Sequence, residues 1–174
     1  MWEKFCRYFD VELRIVPLAE NKYTIGPEDV GPRLDENTIV VVAVLGTTFT
    51  GHKDDVVGID KLLREVHEER DLGIPIHVDG ASGGFVWPFL YPGTEWDFRL
   101  ERVRSINVSG HKYGLVYPGI GWLVFRDESD LAKKLVFNEN YLGRTDATFT
   151  LNFSTSAPMV LAQYYNFVRL ARRA

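Results

Sequence analysis

The segment Ile39-Val40-Val41-Val42-Ala43-Val44-Leu45 is an unbroken apolar run made mostly of β-branched residues. It is short for a buried helix, and β-branched side chains pack well on pleated backbone, so it reads as a strand covered on both faces, as in a parallel sheet. The sequence beyond it fits that reading. Ile59, Leu62, Leu63 and Val66 have the spacing of one face of an amphipathic helix, and Gly73 and Pro75 mark its end. Ile74 to Asp79 (IPIHVD) is a second short strand, Val103 to Val108 a third and Ile120 to Arg126 a fourth. Strand, helix, strand is a βαβ unit, for which a right-handed crossover is expected. The fold class is α/β, a mostly parallel sheet with flanking helices.

The flanks are less regular. Trp2, Phe5 and Phe9 form one stripe of a helix, Val11, Leu13 and Ile15 alternate as a strand would, and Pro27 to Pro32 reads as a short helix or loop. A last helix follows Ser156 and Pro158 and runs on to Ala174. An amphipathic helix at the very first residues, with no capping residue before it, raises the expectation of a chain cut from a larger protein.

Several function classes are disfavoured. The formal charge is −4, from interspersed residues of both signs, without the basic stripe of a nucleic-acid or anionic-membrane binder. The single cysteine, Cys6, makes no internal disulfide, and no stretch approaches the roughly 20 apolar residues of a membrane span. A soluble cytoplasmic protein is expected. With 174 residues and 45% apolar content, the chain can build one real core.

In open parallel sheets, ligands collect at the carboxyl ends of the strands. Three polar features fall there: Thr47-Thr48 after the first strand, Asp79 ending the second, and Ser109-Gly110-His111-Lys112 after the third. Each has an ordinary explanation, as turn former, cap or solvated charge. Jointly they place an acid and an amine where both reach one small ligand. An aldehyde cofactor needs that pair, the amine for an imine and the carboxylate to keep a pyridine nitrogen protonated. A phosphate or carboxylate site fits the His-Lys loop equally well, and the residues by themselves leave the choice open. His77 shares a strand face with Asp79 and reads as a supporting or packing residue rather than a metal ligand.

The blocks His77-Val78-Asp79-Gly80-Ala81-Ser82-Gly83-Gly84-Phe85 and Ser109-Gly110-His111-Lys112-Tyr113-Gly114 resemble the cofactor region of glutamate decarboxylases of the bacterial, fungal and plant type. Trp96-Asp97-Phe98-Arg99-Leu100, Val136-Phe137-Asn138, Tyr141-Leu142-Gly143 and Asn152-Phe153-Ser154 extend the likeness over essentially the whole chain. Gly80 departs from it slightly, since the family often has alanine there. The resemblance implies pyridoxal 5'-phosphate as cofactor and L-glutamate as substrate, converted to 4-aminobutanoate and carbon dioxide. Lys112 then resembles the Schiff-base lysine and Asp79 the partner of the pyridine nitrogen. Thr48 and His111 look like cofactor contacts, with Ser109 in the same shell.

Ser154 resembles a residue reaching the cofactor phosphate of the neighbouring subunit in a homo-oligomer. Tyr141 lies in a segment similar to a hairpin over the active site, with a core anchor or proton delivery as its two readings. Residues 1–174 would be part of the large domain of a fold-type I enzyme, truncated at both ends and inactive alone. Another amino-acid decarboxylase of the same group, or a non-catalytic dimerising fragment, are the competing readings.

Overall fold

A computed structural model of the chain describes residues 1–140, 143, 145–150 and 157–170. Its centre is a four-stranded sheet in the order β1-β2-β3-β4, formed by Val41–Val44, Ile76–Asp79, Val103–Ser109 and Gly121–Phe125. The first three strands are parallel, and β4 returns antiparallel to β3. A separate two-stranded antiparallel sheet pairs β5 (Phe137–Asn140) with β6 (Thr145–Thr148). The helices are α1 (Trp2–Tyr8), α2 (Pro27–Val30), α3 (Val56–Arg70), α4 (Trp87–Leu90) and α5 (Ala157–Leu170).

The β1–α3–β2 unit is the foundation. Helix α3 starts where the Asp55 side chain accepts the Gly58 N–H at 3.1 Å, satisfying one of the free donors of its first turn. Val56, Ile59, Leu63 and Val66 then face the sheet, and all four are buried. Val56, Ile59 and Leu63 pack in one cluster with Val41, Ala43, Leu45, Ile76, Val78, Val103 and Ile106. Fully burying a side chain such as Ile59 or Leu63 is worth roughly 2–3 kcal/mol, so this face dominates the stability of the unit. The helix ends two residues short of Gly73: Asp71 takes the left-handed conformation at φ 53°, with its N–H on the His67 carbonyl at 2.9 Å. A short polar side chain tolerates that conformation, so no glycine was needed there.

Two expectations change. Strand β1 is shorter than the apolar run: Ile39 is 59% exposed, and only one face of the strand is fully buried while Val42 and Val44 are half-buried. The alternating Val11–Ile15 segment forms no strand. Leu13 and Ile15 are exposed rather than turned inward. Arg14 fastens the segment instead, through the Arg33 carbonyl at 2.7 Å and the Asp35 carboxylate at 2.6 Å.

One irregularity in the sheet prepares the site. Ile76 pairs with Val103, but His77 pairs with Ser105, so Arg104 is an extra residue. In an unbroken strand Val103 and Ser105 would share a face. The bulge lets Val103 and Ile106 both point into the core while Ser105 and Asn107 turn to the face that carries His77 and Asp79.

Candidate active site

The carboxyl ends of β1, β2 and β3 are drawn together by backbone contacts. Gly83 N–H donates to the Leu45 carbonyl at 2.9 Å, linking the loops after β2 and β1. Ser109 N–H donates to the Ala81 carbonyl at 3.2 Å, linking β3 to the same loop. A Cβ on Gly84 would lie 2.5 Å from the Val108 side chain, so this approach requires glycine.

Asp79 ends β2 directly opposite Asn107 of β3. Its Oδ1 accepts from Asn107 Nδ2 at 3.0 Å and from the Ala81 N–H at 3.1 Å, and its Oδ2 accepts from the Trp2 indole at 3.3 Å. Trp2 also packs edge-on against His77, with ring centroids 5.4 Å apart. His77 lies between Ser105 Oγ (2.7 Å from Nδ1) and Asn107 Oδ1 (2.8 Å from Nε2). Burial pushes its imidazole below the usual pKa, against the upward pull of Asn107 and the Asp79 charge.

Lys112 sits in the turn that leaves β3, exposed, with Nζ donating to Ser82 Oγ at 3.2 Å. The turn is clamped from behind by α5. Gln163, 1% exposed, donates from Nε2 to the Gly114 carbonyl at 3.1 Å, and Asn166 donates to the Gly114 and Leu115 carbonyls at 3.1 Å each. Gly110 and Gly114 press against the same glutamine: a Cβ on either would come within 2.7 Å of Gln163 Oε1. The amine is therefore presented on a fixed loop with an open face.

The other sequence candidates divide. Ser109 ends β3, His111 is exposed beside Lys112, and Thr48 is exposed in the turn after β1, where Thr47 and Thr50 share a hydrogen bond at 2.6 Å. Tyr141 and Ser154 lie outside the described residues. Sequence reasoning missed Ser82, Asn107 and Gln163. Asn107 had a signal, alternation with Ser109 along one strand, but the bulge that aims it at Asp79 is invisible in the pattern. Among the described residues there is no group of three or more His, Cys, Asp or Glu side chains able to hold a metal ion, and no helix long and apolar enough to cross a membrane.

Known proteins resemble this chain in sequence and in fold. Glutamate decarboxylase 5 of Arabidopsis thaliana is 57% identical over 169 residues, which cover 97% of this chain and 34% of that protein. The solved structure of a Lactobacillus brevis glutamate decarboxylase superposes with a TM-score of 0.91 at 46% identity, over 97% of this chain and 38% of that one. A Burkholderia pseudomallei sphingosine-1-phosphate lyase matches with a TM-score of 0.79 at 25% identity, over 98% of this chain and 39% of that one. The chain thus spans about a third of the length of the curated relatives it matches. The expected α/β architecture of fold-type I pyridoxal-phosphate enzymes holds, as a mixed sheet with flanking helices. With the conserved domain of pyridoxal-dependent decarboxylases matching residues 1–173, this chain belongs to that family.

Proposed function

We propose that the protein carrying this chain is a glutamate decarboxylase, releasing carbon dioxide from L-glutamate to give 4-aminobutanoate. The observation that carries the reading is one shared end of adjacent strands: Asp79 closes β2, and Lys112, one turn beyond β3, reaches back to Ser82 on the loop that Asp79 begins.

The residues present fit pyridoxal phosphate. A carboxylate offers about four acceptor positions. Asp79 uses three, for Asn107, Ala81 and Trp2, so an acceptor remains for a protonated ring nitrogen. Lys112 is exposed and held by a side-chain hydrogen bond that is easily given up. When bound, pyridoxal phosphate supplies a sink for the electron pair left by the departing carboxylate. Lys112 would hold it covalently, and Ser82 Oγ would keep the amine near the loop whenever that bond is open. Asp79 would keep a proton on the ring nitrogen. A neighbouring opposite charge typically shifts such a pKa by about 1–3 units, roughly 1.4–4 kcal/mol in favour of the charged ring. Thr48, Ser109 and His111 would line the same end of the sheet. Tyr141 would contribute to proton delivery and Ser154 to a phosphate contact across a subunit boundary, in a cytoplasmic homo-oligomer.

The test is a substrate panel on the longer protein with added pyridoxal phosphate. We expect 4-aminobutanoate and carbon dioxide from glutamate, and a severe loss of turnover in Asp79→Asn. Turnover of an aromatic amino acid or histidine in place of glutamate would overturn the substrate assignment. Near-normal turnover in Asp79→Asn would remove Asp79 from its role.

A further inference from the structure

Asp79 is the end of a hydrogen-bond sequence that runs across two strands. An ionised carboxylate only accepts, so the Asn107 atom 3.0 Å from Asp79 Oδ1 must be the amide nitrogen. Asn107 then turns its oxygen to His77, and an oxygen acceptor requires a proton on Nε2, 2.8 Å away. With burial disfavouring the imidazolium, Nδ1 carries no proton and accepts from Ser105 Oγ at 2.7 Å. Each link fixes the next. The reverse arrangement would set the Asn107 oxygen against a carboxylate oxygen.

We infer that Ser105, His77 and Asn107 form a one-way hydrogen-bond chain that aims the Asp79 carboxylate, with Asn107 and His77 as positioning residues for it. The inference rests on the reading of Asp79 as the ring-nitrogen partner. The fold is arranged for this chain. The bulge at Arg104 turns Ser105 and Asn107 onto the face of His77 and Asp79, and the Trp2 ring covers the imidazole edge-on while its N–H occupies the other carboxylate oxygen. A carboxylate held by oriented donors on both oxygens keeps one direction open for a new donor. Chains of this kind strengthen each member by mutual polarisation. Neither Asn107 nor His77 touches the reacting atoms in this scheme; each acts through Asp79.

The isosteric Asn107→Asp variant separates the links. It keeps an acceptor for His77 and, when ionised, cannot donate to Asp79 and brings a second negative charge beside it. In holoenzyme labelled with 15N-histidine, the His77 resonance, assigned by its loss in His77→Gln, should report an Nε2–H neutral ring in the parent and a proton still on Nε2 in Asn107→Asp. Cofactor should dissociate about tenfold more readily from Asn107→Asp and Asn107→Ala, the change expected for losing one charge-assisted hydrogen bond. The cofactor absorbance should also move away from the protonated-ring form. His77→Gln, whose amide N–H can still donate to Asn107, should retain most of the affinity that His77→Leu loses. An Nδ1–H ring in the parent overturns the chain whatever the cofactor does. Cofactor affinity and absorbance within twofold of the parent in both Asn107 variants also overturn it, provided Asp79→Ala changes them. If Asp79→Ala leaves them unchanged as well, the role of Asp79 itself is wrong, and the inference falls with it.

Discussion

Replacing Asp54 with alanine should open the loop that carries Thr48. Asp54 is 4% exposed and stands just beyond that loop, joining three segments. Its Oδ2 accepts the Val44 N–H at the end of β1 at 2.6 Å, its Oδ1 accepts the Ile25 N–H at 2.9 Å, and its own N–H donates to the Val44 carbonyl at 2.9 Å. A hydrogen bond to a charged group contributes about 1.5–3 kcal/mol, so the pair is worth roughly 3–6 kcal/mol gross. Burial raises the carboxyl's pKa despite both bonds, so part of that gain offsets desolvation of the charge, leaving about 2–4 kcal/mol net. The local opening constant should then rise about 30- to 700-fold, at a factor of ten per 1.4 kcal/mol. Hydrogen exchange read by mass spectrometry measures this directly: amides over 22–30 and 41–55 should exchange faster by that factor. Asp55→Ala is the internal comparison. It removes a helix cap worth about 1 kcal/mol, so its effect should be smaller and confined to the start of α3. Exchange in Asp54→Ala within about threefold of the parent would refute this, because two part-buried N–H groups losing a carboxylate acceptor cannot be that cheap.

His77 sets a pH dependence. Its folded pKa lies below the usual 6.5, so its contribution is present above that value and is lost as pH falls through the folded pKa. The groups facing it are the Asp79 carboxylate, Ser105, Asn107 and Trp2. The stability difference between the parent and His77→Gln should shrink as pH falls below about 6.5. A difference flat from pH 8 to 5 would contradict the burial of a neutral ring. Asp54, with its raised pKa, acts in the opposite sense but cancels in this difference.

Gly83→Ala should push the loops after β1 and β2 apart, since its Cβ would collide with the Leu45 carbonyl. Overpacking of this kind costs about 1–3 kcal/mol, read as a lower unfolding midpoint, and an unchanged midpoint would show that the loops yield freely. Finally, the purified 174-residue chain should self-associate. Among the described residues it exposes large apolar groups such as Trp122, Leu123 and Val124 on β4 and Leu161 and Tyr164 on α5, and extended apolar surface is typically an association surface. A monodisperse monomer in light scattering would contradict this.

The βαβ frame was legible because its signals are local. β-branching in the run at Ile39–Leu45 and the spacing of Ile59, Leu63 and Val66 need no tertiary context to be read. That Asp79 ends one strand and Lys112 follows the next was legible because both strands carry local signals; the roles given to the two residues belong to the proposed function. What the pattern concealed depends on pairing. Alternation at Val11–Ile15 looks like a strand, yet a strand needs a neighbour, and Arg14 found the Arg33 carbonyl and Asp35 instead. The extra residue at Arg104 depends on how β3 docks against β2, so Asn107 could not be assigned to the face of Asp79 from spacing. Gln163 lies far along the chain from the Gly110 and Gly114 it packs against, a contact with no local signature.

In the proposed function, Lys112 holds the cofactor just beyond the end of β3. Borohydride reduction of the pyridoxal-phosphate-loaded protein, followed by proteolysis and mass spectrometry, tests it most directly. A reduced pyridoxyl adduct is expected on the peptide containing Ser109-Gly110-His111-Lys112, localised to Lys112 and absent from Lys112→Ala. An adduct mapped to another lysine, with Lys112 unmodified and Lys112→Ala still trapping the cofactor stoichiometrically, would contradict it.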